Sequence, residues 1–138
     1  VSPHSIVETK VRWHVRAWDE NRQAFLDLVP SRIIKATPEL SATWVPQERD
    51  EEWNRMVEII LIPSRKLSEN QRRIAEGDYQ MTEGRRILQV RACMAYYQLS
   101  DVNLVDAVRY HNGQPEERDF GVAVENWKEL QPLVMEMN

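Results

Sequence analysis

An α+β fold is predicted, with paired strands at the front of the chain and a mixed module of strands and helices behind them. Three observations predict it. Residues 11–18 alternate apolar and polar side chains with a period of two, the signature of a half-covered strand. Residues 56–62 form a run of branched apolar residues closed by Pro63, which suits a central strand. Two helix-start signatures, Ser68 with Gln71 and Asn126 with Glu129, place helices in the second half.

In order along the chain, Val11, Trp13, Val15 and Ala17 alternate with Arg12, His14, Arg16 and Trp18. The first set is assigned to the core and the second to the polar face. Residues 19–22 make a polar turn and residues 24–29 a second strand, so the pair is a hairpin. Pro30 ends the hairpin or sits on its edge, with Ile33 and Ile34 placed to resume it. The polar stretch 36–52 contains Pro38, Pro46 and the acids Glu48, Asp50, Glu51 and Glu52, and reads as a solvated boundary between modules. The expected divisions are therefore strands over 1–38, a linker over 39–52 and an α+β sandwich over 53–138. In the sandwich, the strand 56–62 leads to a short helix capped by Ser68 and ended by Gly77. One or two extended pieces surround the turn Thr82-Glu83-Gly84. Residues 90–102 are predicted as a helix on the spacing of Val90, Met94, Tyr97 and Asp101, with Cys93, Tyr96 and Leu99 widening its apolar face. Residues 111–119 are a polar loop, residues 120–124 a short strand, and a helix carrying Leu130, Leu133 and Val134 follows Asn126.

Composition narrows the function. Only one cysteine, Cys93, is present, so no internal disulfide framework or multi-cysteine zinc site can form, and a cytoplasmic protein is the default. No apolar run approaches the roughly 20 residues of a membrane span, and no signal peptide is visible. The net charge of −4 is uneven: residues 1–38 carry six basic and four acidic side chains, and residues 39–138 carry 12 and 18. Anion binding is thus expected only of the first segment, because duplex binding needs a basic patch. The opening Val-Ser-Pro-His reads as the start of a piece of a longer protein.

The stretches Pro3-His4-Ser5-Ile6-Val7, Arg12-Trp13-His14-Val15-Arg16-Ala17-Trp18, Phe25-Leu26-Asp27 and Ser31-Arg32-Ile33 resemble the last strands of a WYL domain. Trp13 stands at the family's Trp, while His14 and Val15 replace its Tyr and Leu. The strand 57–62, the Tyr79, Met81 and Gly84 stretch, and Val90-Arg91 with Ala95-Tyr96-Tyr97 and Leu99 resemble the C-terminal extension of that family, the WCX domain. The resemblance implies an Sm- or SH3-like WYL barrel, here incomplete, followed by a ferredoxin-like extension. It also implies a homodimeric transcriptional regulator of the kind that controls phage defence. Operator DNA would be bound only through a helix-turn-helix domain absent from this chain, and the ligand would be a nucleotide or single-stranded nucleic acid.

Arg12, His14 and Arg16 fall on one face of one strand, roughly 6.6 Å apart in succession. That spacing suits phosphates, for which Arg offers a planar fork. His14 adds a pH-sensitive donor, and Trp18 on the same face is a candidate stacking platform. Arg32 and Arg22 are secondary candidates, and His4 borders the site from the preceding strand. A polar strand face is commonly only solvated. Three cations without an acid on one short strand tilt the reading towards a ligand. Trp13 and Cys93 are assigned to the core, and His111 has no acid or thiol nearby in sequence. No P-loop, Gly-x-Ser-x-Gly elbow, zincin motif or dinucleotide fingerprint occurs, so no catalytic residue, metal or cofactor is expected. Three roles remain: a sensor and dimerisation module for an anionic ligand, a purely structural dimerisation module, and a general single-strand binder.

Overall fold

The computed structural model describes residues 1–10, 12–40, 43–116 and 121–135. The chain is α+β, with two three-stranded antiparallel sheets in two compact units, Val1–Glu51 and Glu52–Asn138.

The first unit contains β1 (Ser2–Glu8), β2 (Trp13–Asp19) and β3 (Ala24–Leu28), in the order β1-β2-β3. Gln23, at a left-handed φ of 52°, closes the predicted hairpin between β2 and β3. The β1–β2 register shifts between Pro3 and Ser5. A proline has no N–H for the ladder, so an irregularity is expected there. The β2 faces differ from the predicted assignment. Ala17 is fully buried as expected, but Trp13 is 53% exposed, whereas His14 and Arg16 are only 2% and 7% exposed. The polar face is covered as well, because Asp50 from later in the chain is seated against it, and the apolar face is closed at Ala17 but open at Trp13. Val11, the first residue of the predicted alternation, lies outside the described residues. After β3, Pro30 opens a 3-10 turn (Pro30–Arg32), and the chain does not resume as strand. Ile33 and Ile34 are exposed, at 48% and 102%.

The second unit opens with a helical turn, α1 (Glu51–Asn54), and β4 (Met56–Pro63), the centre of a sheet ordered β5-β4-β6. Val57, Ile59 and Leu61 face the core, as strand parity requires. α2 (Glu69–Asp78) begins with the predicted capping box: Gln71 N–H donates to Ser68 Oγ at 3.2 Å, and Ser68 N–H donates to Gln71 Oε1 at 3.0 Å. It does not end at Gly77. Gln80, at φ 53°, takes the left-handed position, and Met81 N–H reaches Glu76 O at 2.8 Å. This is a Schellman stop shifted three residues downstream. Glu83 and Gly84, both with positive φ, form the turn into β5 (Arg86–Arg91), bracketed by an isolated bridge between Thr82 and Arg85.

The predicted helix over 90–102 is shorter. Val90 and Arg91 pair with β4, a 3-10 turn occupies Ala92–Met94, and α3 spans Ala95–Asp101. Its buried positions are Ala95 and Leu99, one helical turn apart; Met94, Tyr97 and Cys93 are half-buried. Strand pairing wins here because β4 offers a complete partner edge. Asn103, at φ 58°, stops α3 and permits a further helix, α4 (Val105–Tyr110), which buries Ala107 and Val108. The described part of the last strand, β6 (Val122–Val124), pairs with β4; Phe120 lies outside the described residues. α5 (Trp127–Met135) buries Leu130 and Val134. Asn126 does not cap it by the predicted box. Its side chain crosses to β4, accepting from Ile60 N–H at 3.0 Å and donating to Glu58 O at 2.8 Å, with a further bond to Glu129 at 3.2 Å. An amide side chain thus continues the ladder where β6 ends.

Candidate functional site

The sequence-predicted site residues separate into a buried group and an exposed group. His4, His14, Arg16 and Trp18 lie in the first sheet, while Arg12, Arg22 and Arg32 are exposed. Arg22 is near Asp19 only at 3.9 Å.

The centre of the buried group is Arg16. Its Nε donates to Asp50 Oδ2 at 2.8 Å and its Nη2 to Asp50 Oδ1 at 3.0 Å, a bidentate pair. Its Nη1 reaches Asp27 Oδ1 at 3.4 Å. Asp50 Oδ2 also meets His4 Nε2 at 2.9 Å. The side chains of His4 and Asp50 are 3% and 1% exposed. β1, β2 and β3 are therefore tied to each other and to the segment ending at Asp50, which Ser2 also holds: Val45 N–H donates to Ser2 Oγ at 3.2 Å. An aromatic wall completes the group. Phe25 meets Trp18 edge-on at 5.1 Å between ring centroids and His4 at 5.6 Å. Trp18 Nε1 donates to Glu20 Oε2 at 2.8 Å.

Two expectations are corrected. Arg16 is met by two acids from outside its strand, Asp27 and Asp50, and the acidic cluster is not wholly solvated, since Asp50 is buried. No local signal in the sequence reveals Asp50, because its partners lie 34 and 46 residues earlier. Asp27 could have been found, since the hairpin register sets it directly opposite Arg16. His111 also has an acid within reach: Glu116 lies at 3.5 Å from its ring, in an exposed pair of no evident chemistry. Among the described residues no group of His, Cys, Asp or Glu could hold a metal ion. None of their helices is long and apolar enough to cross a membrane.

Burial pushes the His14 imidazole below its ordinary value of 6.5; nearby Arg12 acts in the same direction and Asp27 opposes it. The folded chain therefore binds a proton less readily than the unfolded chain. The stability contributed by neutral His14 is fully present above about pH 6.5, the unfolded value, and is lost progressively as pH falls from there through the lowered folded value. Thermal unfolding followed from pH 8 towards 5 should show this loss, and His14→Gln should flatten it. An unchanged pH profile in His14→Gln would remove His14 as its source.

Chemically, the network is a buried guanidinium, a histidine and a carboxylate beside an aromatic pair, and Asp50 fills the guanidinium fork.

Comparison with known proteins bears on the whole chain. The BrxR transcriptional regulator C-terminal dimerization domain matches residues 56–130. A DNA-binding transcriptional repressor, CapW, from Stenotrophomonas maltophilia is 38% identical over 104 residues, covering 75% of this chain and 35% of that protein. The repressor of the same name from Escherichia coli is 36% identical over 109 residues, covering 77% and 35%. That from Pseudomonas aeruginosa is 31% identical over 141 residues, covering 97% and 43%. The chain thus spans 35% to 43% of the length of these relatives. With more than half of its residues matched by one domain of that kind and similar repressors aligned across most of its length, the chain belongs to the BrxR family of transcriptional regulators, as the C-terminal part of such a protein.

Proposed function

We propose that this chain is the dimerising and ligand-responsive part of a repressor, non-enzymatic and acting in the cytoplasm on phage-defence genes. Dimerisation rests on one observation, the match of residues 56–130 to a dimerization domain. DNA binding belongs to the relatives by name and would come to this protein through a helix-turn-helix outside the chain. In this reading β1–β3 are the closing strands of an Sm- or SH3-like WYL barrel, and the second unit is a ferredoxin-like WCX extension. The order β5-β4-β6 supports the latter, with the Thr82–Arg85 bridge standing where a ferredoxin-like sheet has its second strand.

The ligand-responsive role rests on the polar face of β2. An anionic ligand such as a nucleotide or the 5′ end of a single strand would first meet exposed Arg12, with Arg32 as a further cation. It would then compete with Asp50 for Arg16 and His4. Exchange of one anion for another is energetically feasible because the desolvation of Arg16 has already been met by folding. Such a ligand shifts the protein only if it binds the two states with different affinity. A second reading, a purely structural dimerisation module, is favoured by the same bidentate pair, since Asp50 already fills the fork.

Arg12 is the clean test because it is exposed. Binding of a fluorescent 5′-phosphorylated oligonucleotide is expected, weakening with salt as phosphate contacts require. Arg12→Glu should weaken it at least tenfold while leaving the fold intact. No binding by the unaltered chain would leave the structural module; equal binding by both would put the contacts elsewhere.

A further inference from the structure

The longest exposed stretch of the first unit follows β3. Residues 30–40, Thr43 and Trp44 are all exposed, and the described residues between 33 and 46 contain no helix or strand. Prolines at 30, 38 and 46 account for this, since each lacks the N–H that a ladder or a helix needs. Thr37, directly before Pro38, is also held out of the helical region. The stretch nevertheless carries large aliphatic side chains. Ile34 and Leu40 are 102% and 95% exposed, the highest values among the exposed large hydrophobic residues described, and Ile33 is 48% exposed. Other connections are short and tied. Thr9 N–H donates to Arg12 O at 3.0 Å, and the loop after α4 is bound to β6 through Gly113 and Val124. A structureless loop of more than about a dozen residues in so small a unit is usually functional.

We propose that segment 33–40 is a proteolytic site, read by an endopeptidase that takes an aliphatic side chain in its pocket, and that cleavage there disconnects β1–β3 from the second unit. An exposed, unpaired backbone is the preferred substrate for nicking, and an extended segment with protruding side chains suits recognition as an added strand with side-chain pockets. Hydrolysis adds one water across one amide: the carbonyl carbon takes the hydroxyl, and the nitrogen leaves as an amine. Downstream of the cut, the chain is pinned back onto the sheet only at a few points. Val45 N–H donates to Ser2 Oγ at 3.2 Å, and Asp50 is clasped by Arg16 and His4. In the intact chain the covalent loop holds this clasp at an effective concentration of about a millimolar. After cleavage the clasp is bimolecular, and one bidentate pair with a few hydrogen bonds falls short of micromolar affinity. The N-terminal piece of about 35 residues is below the ~40 that usually fold alone. The second unit keeps its own core around Ile59, Leu99, Leu130 and Val134 and stays folded. The loss of a dimeriser that follows from cleavage rests on the dimerisation reading above; the site itself does not.

The experiment is brief digestion of the full chain with thermolysin, which cleaves before Ile and Leu, and separately with trypsin, each followed by intact-mass measurement. The first thermolysin cut is expected before Ile33, Ile34 or Leu40, and the first tryptic cut after Arg32 or Lys35. Ile33→Ser/Ile34→Ser/Leu40→Ser should slow the first thermolysin cut at least tenfold, while trypsin still cuts within the segment. Gel filtration of the nicked chain at about one micromolar should separate the N-terminal piece from a C-terminal piece that keeps a folded circular dichroism spectrum. A first cut elsewhere by either enzyme, or a segment that resists both, overturns the site. Nicked pieces that elute together at that concentration overturn the disconnection. A C-terminal piece that is released and folded but monomeric contradicts the dimerisation reading and leaves the site standing.

Discussion

Replacing Arg16 with alanine is expected to destabilise the first unit by about 3–5 kcal/mol, the typical effect of removing one partner from a buried ion pair. Asp50, with a side chain 1% exposed, would lose both of its guanidinium bonds and retain His4 among its partners. β1, β2 and the segment leading to Asp50 would lose their common tie. The effect should be confined to Val1–Glu51, and hydrogen exchange of the β1 to β3 amides is the measurement that isolates it. Arg16→Met combined with Asp50→Leu should recover most of the loss, because removing both charges leaves no uncompensated ion. A cost below about 1 kcal/mol for Arg16→Ala would mean that the pair is relaxed by solvent and does not hold the unit together.

The second large effect is expected at Gly113, with a loss of about 2–5 kcal/mol on substitution by alanine. Its φ of +81° is strained for any L side chain, and a Cβ built there would lie 2.1 Å from the Val124 carbonyl oxygen and 3.0 Å from Trp127 Cδ1. The approach is close because Gly113 O accepts from Val124 N–H at 2.8 Å, anchoring the loop after α4 to β6. Gly77→Ala is the control. It lies inside α2 with no atom within 4 Å of an added Cβ. It should therefore stabilise the helix by up to about 1 kcal/mol. Denaturant unfolding of the two variants should separate them in sign. Equal, small effects would show that the loop moves away from β6 at little cost.

The elements legible in the sequence were those fixed by local chemistry. Ser68 and Gln71 are three residues apart and satisfy each other, so the start of α2 could be read directly. The run 56–62 gave β4, and the Thr82-Glu83-Gly84 turn gave the entry to β5. The failures share a cause, a partner distant in sequence. Val90 fits a helical stripe, yet it sits opposite Val57 in a sheet. Asn126 has the spacing of a cap, yet its amide serves β4, 66 and 68 residues away. α4 was missed although Asn103 carries a readable signal, since asparagine is among the few residues that accept a left-handed helix stop. The candidate site was half visible. His4, His14, Arg16 and Trp18 were recognised as one group, but their inward direction depends on Asp50. A strand alternation specifies which residues share a face; which face is covered depends on what later folds over it.

The central claim is that the chain is the dimerising part of a BrxR-family regulator, and its mass in solution tests this most directly. Sedimentation equilibrium at about ten micromolar, far below the millimolar range of incidental contacts, should return twice the chain mass. A single-chain mass that persists at a hundred micromolar would contradict the claim.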